Sequence, residues 1–106
     1  MIFVETRLFT KLLPNYLTDD EYGKLQNFLI AQPGAGVLIC GTGGLRKTRW
    51  RVEGKGKSGG VRIIYYWQTA FDRIYFLTIY AKNETTDLSA AEKQALKKLA
   101  EDFDNG

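Results

Sequence analysis

Residues 61–82 read VRIIYYWQTAFDRIYFLTIYAK. Two runs rich in β-branched and aromatic residues, Val61–Trp67 and Arg73–Tyr80, flank a short turn over Thr69–Asp72. Such residues fit a pleated, packed surface, and a near-continuous apolar run fits a central strand covered on both faces. Just upstream, LRKTRWRV (Leu45–Val52) alternates with a period of two. Its alternation puts Lys47, Arg49 and Arg51 on one face and Trp50 and Val52 on the other. Gly54–Gly60, GKGKSGG, is a glycine-rich hairpin loop between these runs. Three strands joined by short links predict an antiparallel meander.

Outward from that core, the chain changes period. Ile2–Glu5 reads as a short opening strand. Thr6 can cap a first helix carrying Phe9, Leu12, Leu13 and Tyr16 at helical spacing, and Pro14 marks its end. Thr18-Asp-Asp-Glu21 is a capping box for a second helix, with Tyr22, Leu25, Phe28 and Leu29 on its apolar face. Pro33-Gly34 stops that helix, Gly34–Gly36 is a turn, and Val37–Cys40 is an apolar run of undeclared type. Beyond the meander, Lys82–Asp87 is a polar connection. Ser89-Ala-Ala-Glu92 is a second capping box, and Leu96, Leu99 and Phe103 line the last helix. The order β-α-α-β-β-β-α predicts an α+β fold: a small antiparallel or mixed twisted sheet of about four strands with helices packed on it. At 106 residues, one domain over 1–106 is expected.

Charge is unevenly spread. The net charge of +3 hides a segment, Gly41–Lys82, with nine of the fifteen Lys and Arg residues against Glu53 and Asp72, a net +7. The same segment carries Trp50, Tyr65, Tyr66, Trp67, Tyr75, Phe76 and Tyr80. Clustered cations beside aromatic groups suit a polyphosphate ligand. Tyr65, Trp67, Tyr75 and Phe76 fit sheet packing; Tyr66 and Tyr80 are the candidates for an exposed ring face. The Gly54–Gly60 loop admits two readings, a soluble hairpin tip or a phosphate-approaching loop whose flanking strands bring Arg49, Arg51 and Arg62 to one end of the sheet.

Absences narrow the chemistry. The chain has no His and a single Cys40. The commonest general base and the usual zinc spacings are therefore missing, and no internal disulfide can form. The carboxylates belong mostly to helix caps, so clustered oxygen ligands for a metal-dependent nuclease are not offered. No apolar run nears the roughly 20 residues of a membrane span. MIFVETRLF lacks the pattern of a signal peptide, so a cytoplasmic protein is expected. Gly41–Thr48 superficially resembles a Walker loop, but Arg46 stands where its glycine belongs and a strand follows instead of a helix. RNA supplies its own nucleophile, the 2′-OH, and needs only a proton acceptor, a proton donor and cations for the phosphorane. Crowded cations disfavour charging one another, which fits a Lys for proton transfer, while Arg can clamp phosphate oxygens.

The runs GTGGLRKTRW (41–50), GKGKSGGVRIIYYW (54–67) and LTIYAKNETTDLS (77–89) resemble the RelE superfamily, and most closely its HigB-type branch. The resemblance spans nearly the whole chain. It implies a toxin of a bacterial type II toxin–antitoxin pair that cuts mRNA on the ribosome without metal or cofactor, leaving a cyclic phosphate and a 5′-hydroxyl. The resemblance carries over Lys47 and Arg49 before the loop, Lys55 and Lys57 within it, Arg62 at the start of the next strand and Lys82 after the fourth strand. With the cationic segment, Lys55, Lys57, Arg62, Lys82 and Arg49 are expected to be catalytic, and Lys47, Arg51, Tyr80 and Arg46 to bind substrate. Better-known members carry a further basic residue and a catalytic Tyr where this chain has Asn83 and Leu88-Ser89; Tyr80 is the candidate substitute. The implied partners are a cognate antitoxin, the ribosome with its mRNA, and operator DNA through the antitoxin. Two other readings stand beside this one: a ParE-like gyrase inhibitor on the same scaffold, and a non-catalytic nucleic-acid binder.

Overall fold

The computed structural model describes residues 1–52, 60–82, 84 and 88–105. In chain order the elements are β1 (Ile2–Glu5), α1 (Arg7–Leu12), α2 (Asp19–Ala31), β2 (Val37–Leu38), β3 (Leu45–Trp50), β4 (Val61–Gln68), β5 (Arg73–Ala81) and α3 (Ala90–Asn105). They form an α+β fold around one mixed five-stranded sheet of order β1-β5-β4-β3-β2. The expected meander is β3-β4-β5. Two edge strands extend it. Val37–Leu38 resolves the undeclared apolar run as a two-residue antiparallel strand beside Lys47 and Arg46. The opening strand joins at the opposite edge, parallel to β5, with Ile2 beside Arg73 and Glu5 beside Phe76. β3 ends at Trp50, paired with Val61, two residues short of the expected Val52.

Helix ends follow their sequence signals. The Thr6 hydroxyl accepts from the Phe9 N–H (3.1 Å) and donates to the Leu77 carbonyl (2.9 Å), so one cap also ties α1 to β5. Pro14 lies in a 3-10 turn, Leu13–Asn15, that tightens the chain after α1 and ends at Tyr16. Both capping boxes are closed. The Thr18 N–H donates to Glu21 Oε1 (2.8 Å) and the Glu21 N–H to the Thr18 hydroxyl (3.2 Å). Ser89 and Glu92 do the same at 2.9 and 3.1 Å, and these bonds to Ser89 lower the Glu92 carboxyl below its ordinary range.

Each sheet face has its own core. On one, Phe9 of α1 and Leu25 and Leu29 of α2 pack on Ile63, Tyr65, Ile74, Phe76 and Ile79. Phe9 and Phe76 stack at 4.8 Å between ring centroids. On the other, α3 brings Leu96, Leu99, Ala100 and Phe103 over Leu45, Ile64, Tyr75 and Leu77, with Phe103 stacked on Tyr75 at 4.1 Å. The last turn of α3 is tied down by Asp104, which accepts from the Tyr66 hydroxyl (2.7 Å) and the Gln68 amide (2.8 Å).

One irregularity decides what the sheet presents at its far end. Ile64 pairs with Thr78 and Tyr65 with Phe76, so Leu77 is an extra residue on β5. The strict alternation of a strand would put Tyr80 and Lys82 on the same face as Phe76. The bulge shifts that parity: Ile79 and Ala81 continue the α1–α2 core, and Tyr80 joins the α3 side.

Candidate nucleic-acid interface

A row of three residues crosses the sheet near the point where residues 53–59 leave it. Arg49 on β3 pairs with Arg62 on β4, and Arg62 with Tyr80 on β5. Directly opposed residues share a face, so both guanidinium groups and the phenol project to the α3 side. At this end of the sheet lies an open concavity of about 540 Å³ lined by Arg49, Trp50, Arg51, Val52, Gly60, Arg62 and Lys82. Four of the cations singled out in the sequence therefore converge on one concavity, from β3, its exit, β4 and the exit of β5.

Gly60 makes the approach possible. Its φ is +71°, and a Cβ there would lie 2.3 Å from the Trp50 carbonyl oxygen. Only glycine lets the β4 backbone pass so close to the end of β3. The Lys82 N–H in turn donates to the Gly60 carbonyl at 3.4 Å, bringing the β5 exit against the same point. Arg62 is only 7 % exposed. A guanidinium largely withdrawn from solvent acts on a phosphate more strongly than one in open water.

The other expected site residues fall in different places. Lys47 lies on the same face as Arg49, two residues back along β3 and beside Ile64. Arg46 is on the opposite face, where its guanidinium donates to the Gly34 (3.0 Å) and Gly36 (2.9 Å) carbonyls and holds the turn before β2. Its charge is thus committed to the scaffold and separated from the cluster by the sheet. Tyr80 completes the row, but its ring is 8 % exposed and packs with Leu77 and Leu88. Tyr66, the other candidate for an exposed ring, is half-buried against Tyr75 and donates to Asp104. Lys55 and Lys57, with Glu53, lie outside the described residues, as does Asn83.

Two further pairs of residues bear on the site without a signal in the sequence. Val52 and Trp50 wall the cavity; their apolar character marked them only as packing residues. Tyr16 and Glu84 are joined just past Lys82, the cation at the exit of β5. The Tyr16 hydroxyl donates to Glu84 Oε1 at 2.6 Å across 68 residues of sequence. Burial, and then the hydrogen bond and charge of Glu84, push the Tyr16 phenol up to about 12. No local pattern signals a pair so distant in the chain.

The arrangement can neutralise a phosphodiester, orient it and exclude part of its water. The chain is similar to known proteins in fold and in sequence. The fold is similar to that of the E. coli toxin RelE, in the free-state structure of a double arginine-to-alanine mutant. That match has a TM-score of 0.56 and 12 % identity, covering 80 % of this chain and 86 % of that one. Residues 39–105, which hold β3, β4, β5 and α3, match the family described as the RelE toxin of the RelE/RelB toxin–antitoxin system. That match takes in more than half of the chain and every described cation of the cavity, and the chain belongs to the RelE toxin family.

Proposed function

We propose that this RelE-family toxin is a metal-independent endoribonuclease of the HigB-type branch, a single domain that cuts mRNA on the translating ribosome. The observation that carries the reading is the convergence of Arg49, Arg51, Arg62 and Lys82 on one cavity. Arg62 and Arg49, opposed across two strands, grip the non-bridging oxygens of the scissile phosphate. The ribose 2′-oxygen attacks phosphorus; the O2′–P bond forms and the P–O5′ bond breaks. One lysine of the set Lys55, Lys57 and Lys82, as neutral amine, takes the 2′-OH proton, and another, as ammonium, returns a proton to the departing 5′-oxygen. The products are a 2′,3′-cyclic phosphate and a 5′-hydroxyl. Lys47 and Arg51 extend the positive track along the RNA backbone. In the cytoplasm the partners are a cognate antitoxin, which shields the basic face, and the ribosome with its message; the toxin reaches operator DNA through the antitoxin.

Primer extension on translated messages after induction tests this. Breaks should fall within codons and vanish when translation is blocked. Purified, folded protein that leaves messages whole on elongating ribosomes would falsify the reading. Growth arrest with intact messages and damaged DNA would point instead to gyrase.

A further inference from the structure

Lys82 lies in a turn that follows β5, and Ala81 and Glu84, on either side of it, are bonded to each other in both directions. The Glu84 N–H donates to the Ala81 carbonyl at 3.1 Å. The Ala81 N–H donates to the Glu84 carboxylate, Oε1, at 2.9 Å. The same oxygen receives the Tyr16 hydroxyl at 2.6 Å. Tyr16 follows the 3-10 turn containing Pro14 and is 8 % exposed, so its phenol is a fixed post and not a mobile surface group. The N–H of Lys82 is directed to Gly60, the residue that shapes the neck of the cavity.

We propose that Tyr16 and Glu84 are positioning residues that hold the Lys82 turn against the cavity. The inference rests on the endonuclease reading above and adds a part to it. A lysine has a long, flexible stem, and anchoring its backbone removes the largest source of misplacement. Because the Tyr16 phenol titrates near 12, it keeps its proton at neutral pH and remains the donor. The Glu84 carboxylate bonds the main chain of the turn and the phenol and does not line the cavity, so its effect on the site runs through Lys82. The resulting chain of support runs from a proline-tightened turn beside α1, through a phenol and a carboxylate, to a lysine contributed by the far side of the sheet.

The test uses the full chain and programmed ribosomes, reading the single-turnover cleavage rate and the half-saturating ribosome concentration. Tyr16→Phe keeps the buried ring and deletes only the donor. We expect Tyr16→Phe and Glu84→Ala to slow cleavage about ten-fold or more with half-saturation unchanged. Glu84→Gln, whose amide oxygen still accepts both bonds, should restore most of the rate. The double variant Lys82→Ala/Glu84→Ala should be no slower than Lys82→Ala. Amide hydrogen exchange at Ala81 and Lys82 should quicken in Tyr16→Phe. Active wild type and slow Lys82→Ala, with Tyr16→Phe and Glu84→Ala at wild-type rate, overturn the inference and leave the endonuclease reading standing. So does an additive loss in the double variant, or Glu84→Gln as slow as Glu84→Ala. Wild-type protein that leaves the message whole removes the endonuclease reading and this inference with it.

Discussion

Gly60 and Arg62 are two residues apart and constrain the cavity differently. At Gly60 the limit is steric. Any Cβ meets the Trp50 carbonyl oxygen at 2.3 Å, and φ of +71° disfavours other residues. Gly60→Ala should therefore cost more than about 1 kcal/mol, read as a lowered urea midpoint, and should reduce cleavage through a displaced Arg62. At Arg62 the requirement is geometric. A lysine keeps the charge but loses the planar fork of N–H donors. Arg62→Lys should lower single-turnover cleavage about 100-fold while the far-ultraviolet circular dichroism stays that of the wild type. The charge of Arg62 and its place at the head of a strand could be read from the sequence. Its 7 % exposure could not, because burial depends on what the rest of the chain packs around it. Arg46 shows the same limit from the other side. It sits next to Lys47 in the sequence, yet the sheet separates them, and two carbonyls of the turn before β2 hold its guanidinium.

Among the elements, local signals held and long-range ones did not announce themselves. Both capping boxes, the proline-ended first helix and the β3-β4-β5 meander are properties of neighbouring residues, and all are present. The Thr18 cap can be tested alone: Thr18→Ala should lower stability by about 1 kcal/mol, measured by urea unfolding, without affecting cleavage. The anchor of α3 is different in kind. Asp104 ties the last turn to Tyr66 and Gln68 on β4, 38 and 36 residues away. Asp104→Ala should quicken amide exchange over residues 100–105 while leaving the first turn of α3, with its own capping box, protected. The bulge at Leu77 was invisible to a reading by alternation, since a single inserted residue leaves the composition of the strand unchanged. It is nevertheless what turns Tyr80 toward the row of Arg49 and Arg62.

For the molecule as a whole, buried phenols give a pH dependence with a definite sign. Tyr16 and Tyr66 are pushed up to about 12, chiefly by burial and then by Glu84 and Asp104. Tyr22 and Tyr65 are also raised, again chiefly by burial. A group that holds its proton more tightly when folded stabilises the fold fully below its unfolded value, near 10, and that stabilisation is lost as pH rises through the folded value. Urea midpoints should thus show no tyrosine-linked fall up to about pH 9 and should drop above about pH 10, with part of the drop removed in Tyr16→Phe. This behaviour, like the Tyr16–Glu84 contact, belongs to the assembled chain and to no segment of it.

The parallel pairing of β1 with β5 bears on how the protein is born. β1 leaves a ribosome some seventy residues before its partner, Arg73–Phe76, exists. Lys82 emerges later still, so a nascent chain that stops short of it lacks one wall of the recess. Synthesis runs from the N-terminus and distant pairings close last. On the proposed reading, the machine that makes this toxin is also its target, and the order of emergence keeps each newborn copy unarmed while most of its own message is still being translated.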